Sequence, residues 1–237
     1  MCGRFVVASS PQLLADHFDV DENRVGTVEP DYNIAPRQLI MAVREREGVR
    51  YLDELRWGLV PSWAKDPSMG DRMINARAET LTTKPAFKRA FEKHRCIIPA
   101  DGFYEWRREA GSKRKQPYLI HTTDDRPLAF AGVWAPWKDP ATGEWLLSAA
   151  VVTTQANGDV GRLHNRMPVI LEPSEWPIWA DPEIRDPGLL SDLLRPAADG
   201  LLTLTAVSTA VNNANHEGPD LLLPPDSTGQ EPLTLFG

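Results

Sequence analysis

Arg95-Cys96-Ile97-Ile98-Pro99-Ala100-Asp101-Gly102-Phe103-Tyr104-Glu105-Trp106 contains two apolar bursts, 96–99 and 102–106, parted by a turn pair. Each burst is long enough for a strand and too short for a free-standing helix, and aromatic and β-branched residues dominate both. The same rhythm extends in both directions. Further strands are predicted at 5–8, 39–43, 56–60, 118–121, 129–134, 146–153, 167–171 and 202–207, with 21 Pro and 16 Gly punctuating the intervals. Helices are fewer. Ser10-Pro11 leads Gln12 to Phe18 as an N-cap followed by proline at the first helical position. The stretch 83–94 sets Phe87, Ala90 and Phe91 on one side, and 173–180 and 187–194 open on proline. Strands and helices do not alternate, which excludes a doubly wound parallel sheet. The pattern predicts a single α+β domain with a mostly antiparallel, barrel-like β core and short peripheral helices. Residues 1–217 are assigned to that domain, and the Pro-rich tail 218–237 is expected to pack on it or trail from it.

Composition narrows the class. The chain has 237 residues, 42% hydrophobic and 25% charged, with net charge −7, which excludes fibrous and disordered proteins. Two cysteines exclude a disulfide framework and fit a reducing compartment, so the cytoplasm is expected. No apolar stretch is long enough for a membrane span, and the four-residue run 5–8 is too short for a signal peptide. The acidity is uneven: residues 72–115 hold 12 Lys and Arg against 5 Asp and Glu. A basic face on an acidic protein can still collect phosphates, although such a run is more commonly a solvated helix face with a charged hairpin tip.

Four segments carry chemistry. Cys2 becomes the N-terminal residue when Met1 is removed, which puts an α-amine and a thiol on one residue. Such an aminothiol can attack an amide or ester through sulfur. It can also condense with an aldehyde through nitrogen and close to a thiazolidine. Asn75 and Arg77 share a face if their segment is extended, which would suit a polar ligand and a phosphate, while Asn75 could instead cap the following helix. Glu105 lies between aromatics, where desolvation favours acid–base work, unless it faces solvent from its strand. His164, with Arg166 two residues on, combines a proton shuttle with an anion-binding group, although a histidine ahead of a strand is commonly structural. The five histidines and two cysteines show no metal-ligand spacing, and no phosphate-binding glycine motif or nucleophile elbow is present. No cofactor and no metal are expected.

Together these segments resemble one family, the SRAP or SOS-response-associated peptidase family of abasic-site processing proteins. The matching motifs are Met1-Cys2-Gly3-Arg4-Phe5, Tyr32-Asn33-Ile34-Ala35-Pro36, Trp57-Gly58-Leu59-Val60-Pro61-Ser62-Trp63, Ile74-Asn75-Ala76-Arg77-Ala78-Glu79-Thr80, residues 95–106 and His164-Asn165-Arg166-Met167-Pro168. A further likeness runs from Val207-Ser208 to Asn212.

The resemblance implies a sensor that binds abasic sites in single-stranded DNA and joins Cys2 to the ring-opened aldehyde as a thiazolidine. This would shield the lesion during the DNA-damage response. It implies an enzyme of peptidase or hydrolase type with lyase-like Schiff-base chemistry, in which the same site removes Met1. Glu105 would move protons, His164 would assist sugar-ring opening, and Asn75 would position Cys2. Arg4, Asn33, Arg77 and Arg166 would hold DNA, with Pro36 and Trp63 packing neighbouring bases. The expected partners are lesion-bearing single strands, with replication-fork proteins as further candidates. The expected state is a monomer in the cytoplasm, at the nucleoid in a bacterium. Two departures stand out: Ala64 replaces a second aromatic found in some relatives, and Asn165 stands where relatives often carry Asp. The competing class is an N-terminal-nucleophile cysteine peptidase or amidohydrolase acting on separate substrates.

Overall fold

A stretch that leaves no polar face must be covered on both sides, and the chain meets that demand by closing its most apolar strands into a ring. The computed structural model describes residues 2–108 and 115–225. The first part of the chain runs β1 (Phe5–Val7), α1 (Pro11–His17), β2 (Glu22–Asn23), β3 (Asp31–Ile34), β4 (Leu39–Arg46), β5 (Val49–Trp57) and β6 (Asn75–Arg77). Next come α2 (Pro85–Lys93), β7 (Arg95–Ala100), β8 (Gly102–Arg108), β9 (Lys115–Thr122), β10 (Leu128–Lys138) and β11 (Trp145–Gln155). The last elements are β12 (Arg166–Pro168), α3 (Trp176–Ala180), α4 (Pro187–Asp192) and β13 (Leu202–Ala206).

Strands β11, β10, β7, β4 and β5 follow one another by antiparallel pairing, and β5 returns to β11 in parallel at Arg56–Ser148 and Trp57–Ala149. The result is a closed five-stranded barrel, which removes the sheet edges these strands would otherwise expose. β12 and β6 flank the far end of β11, opposite Thr153 from either side. A second, antiparallel sheet runs β13-β9-β8-β1-β3. It packs on the barrel through Phe5 against Trp57 (4.9 Å) and Phe103 against Phe130 (5.8 Å). This is the predicted α+β class with its barrel-like core.

Local chemistry explains the helices and the differences from expectation. Ser10 caps α1 by accepting from Leu13 N, with Pro11 at the first helical position. α2 buries Phe87, Ala90 and Phe91, as its spacing predicts. The predicted strand at 56–60 is displaced: β5 ends at Trp57 because Gly58 takes φ 121°, and its Cβ position would lie 2.6 Å from the Gly70 carbonyl oxygen. β12 ends at Pro168, although Val169 still donates to Val152. Of the expected tail, residues 218–225 are described: Leu221 and Leu222 are buried beside Val6, Tyr104 and Val211. Residues 226–237 lie outside the described part.

Candidate active site

β1 pairs with β8 at Phe5–Phe103 and Val6–Gly102, and Tyr104 N donates to Arg4 O. That register carries the chain start alongside Glu105. Cys2 is fully buried, and Glu105 is only 4% exposed. Burial, reinforced by the Glu105 carboxylate, pushes the Cys2 thiol well above its ordinary range. Glu105 therefore lies on the interior side, and the solvent-facing alternative is set aside.

Asn75 completes the surround. Its segment forms β6 against β11, with Asn75 opposite Val151, Ala76 buried and Arg77 exposed. Asn75 Nδ2 donates to Cys2 O at 2.7 Å, so the residue is a strand clamp on the N-terminal segment and not a helix cap. Its Oδ1 is buried with no hydrogen-bond partner among the described residues. The exit of β1 is fixed by buried Asp101, which accepts from Ala8 N (2.6 Å), Ser9 N (2.7 Å) and Ser9 Oγ (2.7 Å).

The end of β11 opens into a cleft of about 680 Å³ that gathers Arg77, His164, Arg166 and Gln155. His164 Nδ1 is 3.0 Å from Arg166 N, and since an amide can only donate, Nδ1 is the acceptor. In the neutral ring the proton then sits on Nε2. Arg166 Nη2 donates to Thr153 O at 2.6 Å and to Glu79 Oε2 at 3.0 Å, and its Nη1 bonds the other Glu79 oxygen. Arg166 lowers the Glu79 carboxyl below its ordinary value through these bonds. Sequence reasoning assigned Glu79 no role. Its only available signal was an acid two residues after Arg77 in a motif already rich in polar groups.

The remaining predicted residues are placed elsewhere. Arg4 follows the alternation of Val6 onto the face of Tyr104, where Nη1 donates to Asn33 Oδ1 (2.6 Å) and Val211 O (3.0 Å). Asn33 is fully buried and gives its Nδ2 to Asn213 O (3.0 Å) and His216 O (2.7 Å). The two residues thus fasten the C-terminal segment to β3, on the opposite face of the sheet from Glu105. Pro36 is half-buried in the turn after β3, and Trp63 is 57% exposed. Asn165 is exposed beside His164, and Ala64 is buried, its carbonyl accepting from Trp137 Nε1. Among the described residues no cluster of three metal-binding side chains occurs, and no helix is long and apolar enough to cross a membrane.

Fold and site define a small α+β protein whose second residue is a sheltered cysteine beside a carboxylate, with an arginine-lined cleft that begins two residues along β6 from the Asn75 clamp. The chain belongs to the SRAP family, described as SOS response associated peptidase, whose profile matches residues 1–214. It is 41% identical over 223 residues to the abasic site processing protein YoaM of Bacillus subtilis (strain 168), covering 94% of this chain and 97% of that protein. It is 31% identical to the abasic site processing protein YedK of Escherichia coli (strain K12), covering 94% and 100%. It is 34% identical to HMCES of Gallus gallus, covering 85% of this chain and 68% of that protein. Two solved structures share the fold. One, from Bacteroides thetaiotaomicron, has a TM-score of 0.84 at 23% identity, covering 94% and 99%. The other, from Bordetella bronchiseptica, has a TM-score of 0.72 at 26% identity, covering 87% and 100%.

Proposed function

We propose that this protein processes abasic sites, capturing the lesion in single-stranded DNA as a thiazolidine on Cys2. The observation that carries this reading is the placement of buried Cys2 beside Glu105, with its carbonyl held by Asn75. Hydrolysis of the Met1–Cys2 amide first frees the α-amine. The amine nitrogen adds to the aldehyde carbon of the ring-opened sugar, and loss of water leaves an imine. The thiol sulfur then bonds to the same carbon, the imine electron pair moves to nitrogen, and the thiol proton ends there. The net change of the capture, after Met1 has been removed, is one water released.

Burial raises the thiol above its ordinary range, which disfavours sulfur as the first nucleophile and suits the order amine first, sulfur second. The same observation weighs against the peptidase alternative, which needs a ready thiolate. Glu105 takes the thiol proton and returns it to nitrogen. His164, with its proton on Nε2, donates to the sugar oxygen as the ring opens. Arg77 and Arg166 hold flanking phosphates, Glu79 yielding its place on Arg166 to one of them. Pro36 and Trp63 pack the neighbouring bases, while Arg4 and Asn33 act through the segment they fasten, with Arg4 Nη2 left for a phosphate.

The test is intact-mass spectrometry of the untagged protein before and after incubation with a single-stranded oligonucleotide carrying one abasic site. The expected result is a starting mass without Met1, then a heat-stable adduct one water short of the sum, absent in Cys2→Ala and slowed in Glu105→Ala. A processed protein that forms no adduct defeats the reading. Cleavage of a peptide library by that protein would move it to the peptidase class.

A further inference from the structure

Most arginines of this acidic protein are answered by a carboxylate: Arg44 by Asp53, Arg50 by Glu45, Arg56 by Asp71, Arg166 by Glu79 and Arg195 by Glu175. Helix α2 is different. Lys84 at its N-cap, then Lys88, Arg89 and Lys93, are all exposed, and none has an ion pair among the described residues. This helix forms one wall of an apolar groove of about 370 Å³ lined by Pro85 and Arg89, with Pro61, Trp63, Pro136 and Trp145 opposite. Trp63 is 57% exposed and Trp145 67%, both among the most open large apolar side chains of the fold. Lys138 Nζ lies 5.7 Å from the Trp145 ring centroid and adds a further cation to this edge.

Two exposed indoles beside prolines, with Arg89 in the lining and Lys84, Lys88 and Lys93 elsewhere on the same helix, match one ligand chemistry: unstacked bases joined by phosphates. A peptide partner would account for the apolar floor and leave the cations without a role. The groove and the cleft lie at opposite ends of one strand. Strand β11 begins at the groove with Trp145 and ends at the cleft with Gln155, roughly 30 Å away at the rise of an extended strand.

We propose that this groove holds bases of the single strand flanking the lesion, with Trp145 as a stacking platform and α2 neutralising their phosphates. The proposal rests on the reading of the cleft as a site for single-stranded DNA and extends it to Trp145, Lys84, Lys88, Arg89 and Lys93.

The test measures binding of an undamaged labelled oligothymidine of about 20 nucleotides to the full chain, long enough to span the distance between the sites. Trp145→Ala should weaken binding about five-fold or more, the lower range for loss of one stacked base, and Trp145→Phe should restore most of it. The double reversal Lys88→Glu with Arg89→Glu should weaken binding further and flatten its salt dependence. Unchanged affinity in Trp145→Ala, or an equal loss in Trp145→Phe, would overturn the stacking platform. Unchanged affinity in the double reversal would overturn the role of α2 and turn the groove over to a protein partner. Adduct yield at saturating abasic oligonucleotide is read in parallel. Its absence in the unmodified chain defeats the proposed chemistry, whereas normal yield with no Trp145 effect on affinity defeats only the groove.

Discussion

The two faces of the β1–β8 pair are built from the same kinds of side chain and do opposite work. On the outer face Arg4, Asn33 and Tyr104 use their polar groups on the chain itself: Asn33 makes three side-chain bonds, and the Tyr104 hydroxyl donates to Tyr32 O at 2.9 Å. On the inner side Cys2 and Glu105 are packed without exposure, and Asn75 Oδ1 is buried with no partner among the described residues. A buried acceptor left open costs on the order of 1–3 kcal/mol, which folding alone would not select for. The difference separates a face whose polar groups are spent largely on holding the chain, Arg4 Nε apart, which is buried with no partner among the described residues, from one where an acceptor is held open beside Cys2.

The sharpest way to break this comparison is a pair of substitutions, one on each face. Cys2→Ser keeps the amine and the packing volume but cannot close a thiazolidine, so the heat-stable adduct should vanish while the melting temperature stays unchanged. Asn33→Ala should do the reverse. It removes one of the two acceptors of Arg4 Nη1 and the donor to two carbonyls, so chemical denaturation should show a loss of about 2–4 kcal/mol, with adduct formation retained by the folded fraction. If Asn33→Ala abolished the adduct at full stability, the division between the faces would fail.

A smaller effect separates the two cleft arginines. Arg77 is exposed with no ion pair among the described residues, so Arg77→Ala should leave stability unchanged. It should weaken intact and lesion-bearing single strands alike and lower the salt slope by about one. Arg166→Ala should show the same binding loss and an added stability loss, because Thr153 O and Glu79 lose their donor. A lesion-specific loss in Arg77→Ala would remove it from the phosphate contacts.

The barrel was legible because its strands announce themselves. β7, β10 and β11 are buried on both faces and read as nearly unbroken apolar runs. β3 and β6 were not predicted as strands, since Asp31-Tyr32-Asn33 and Asn75-Ala76-Arg77 owe their extended form to pairing with β1 and β11. The residues expected to carry chemistry, Cys2, Asn75, Arg77, Glu105, His164 and Arg166, were named from the chemistry of their segments and from the family resemblance. What motif could not supply was occupancy. That Arg166 is held by Glu79, 87 positions away, and Arg4 by the carbonyl of Val211, 207 positions away, follows only from the closed topology.

The gentlest probe of the fastened face is proton concentration. Partial burial, helped by the like charge of Asp31 and opposed by Arg4 and His216, raises the Glu217 carboxyl from its usual 4.5 to about 7. His216 is itself paired with Asp220 at 2.8 Å, and Tyr104 of β8 also faces Glu217, so the titratable groups around it come from this segment, β3, β8 and Arg4. A carboxyl whose value is raised on folding binds its proton more tightly in the folded state. Its contribution is therefore complete below about 4.5 and is lost as the pH rises through about 7. The segment held by Asn33 should thus loosen slightly between pH 6 and pH 8, by a small amount because Glu217 is exposed. Amide hydrogen exchange at Val211, Asn213 and Leu221, compared between the native chain and Glu217→Gln at each pH, isolates the effect from the intrinsic dependence of exchange. The variant should show flat protection across this range. An identical pH response in both would place the loosening on another group and leave Arg4 and Asn33 as the whole of the latch.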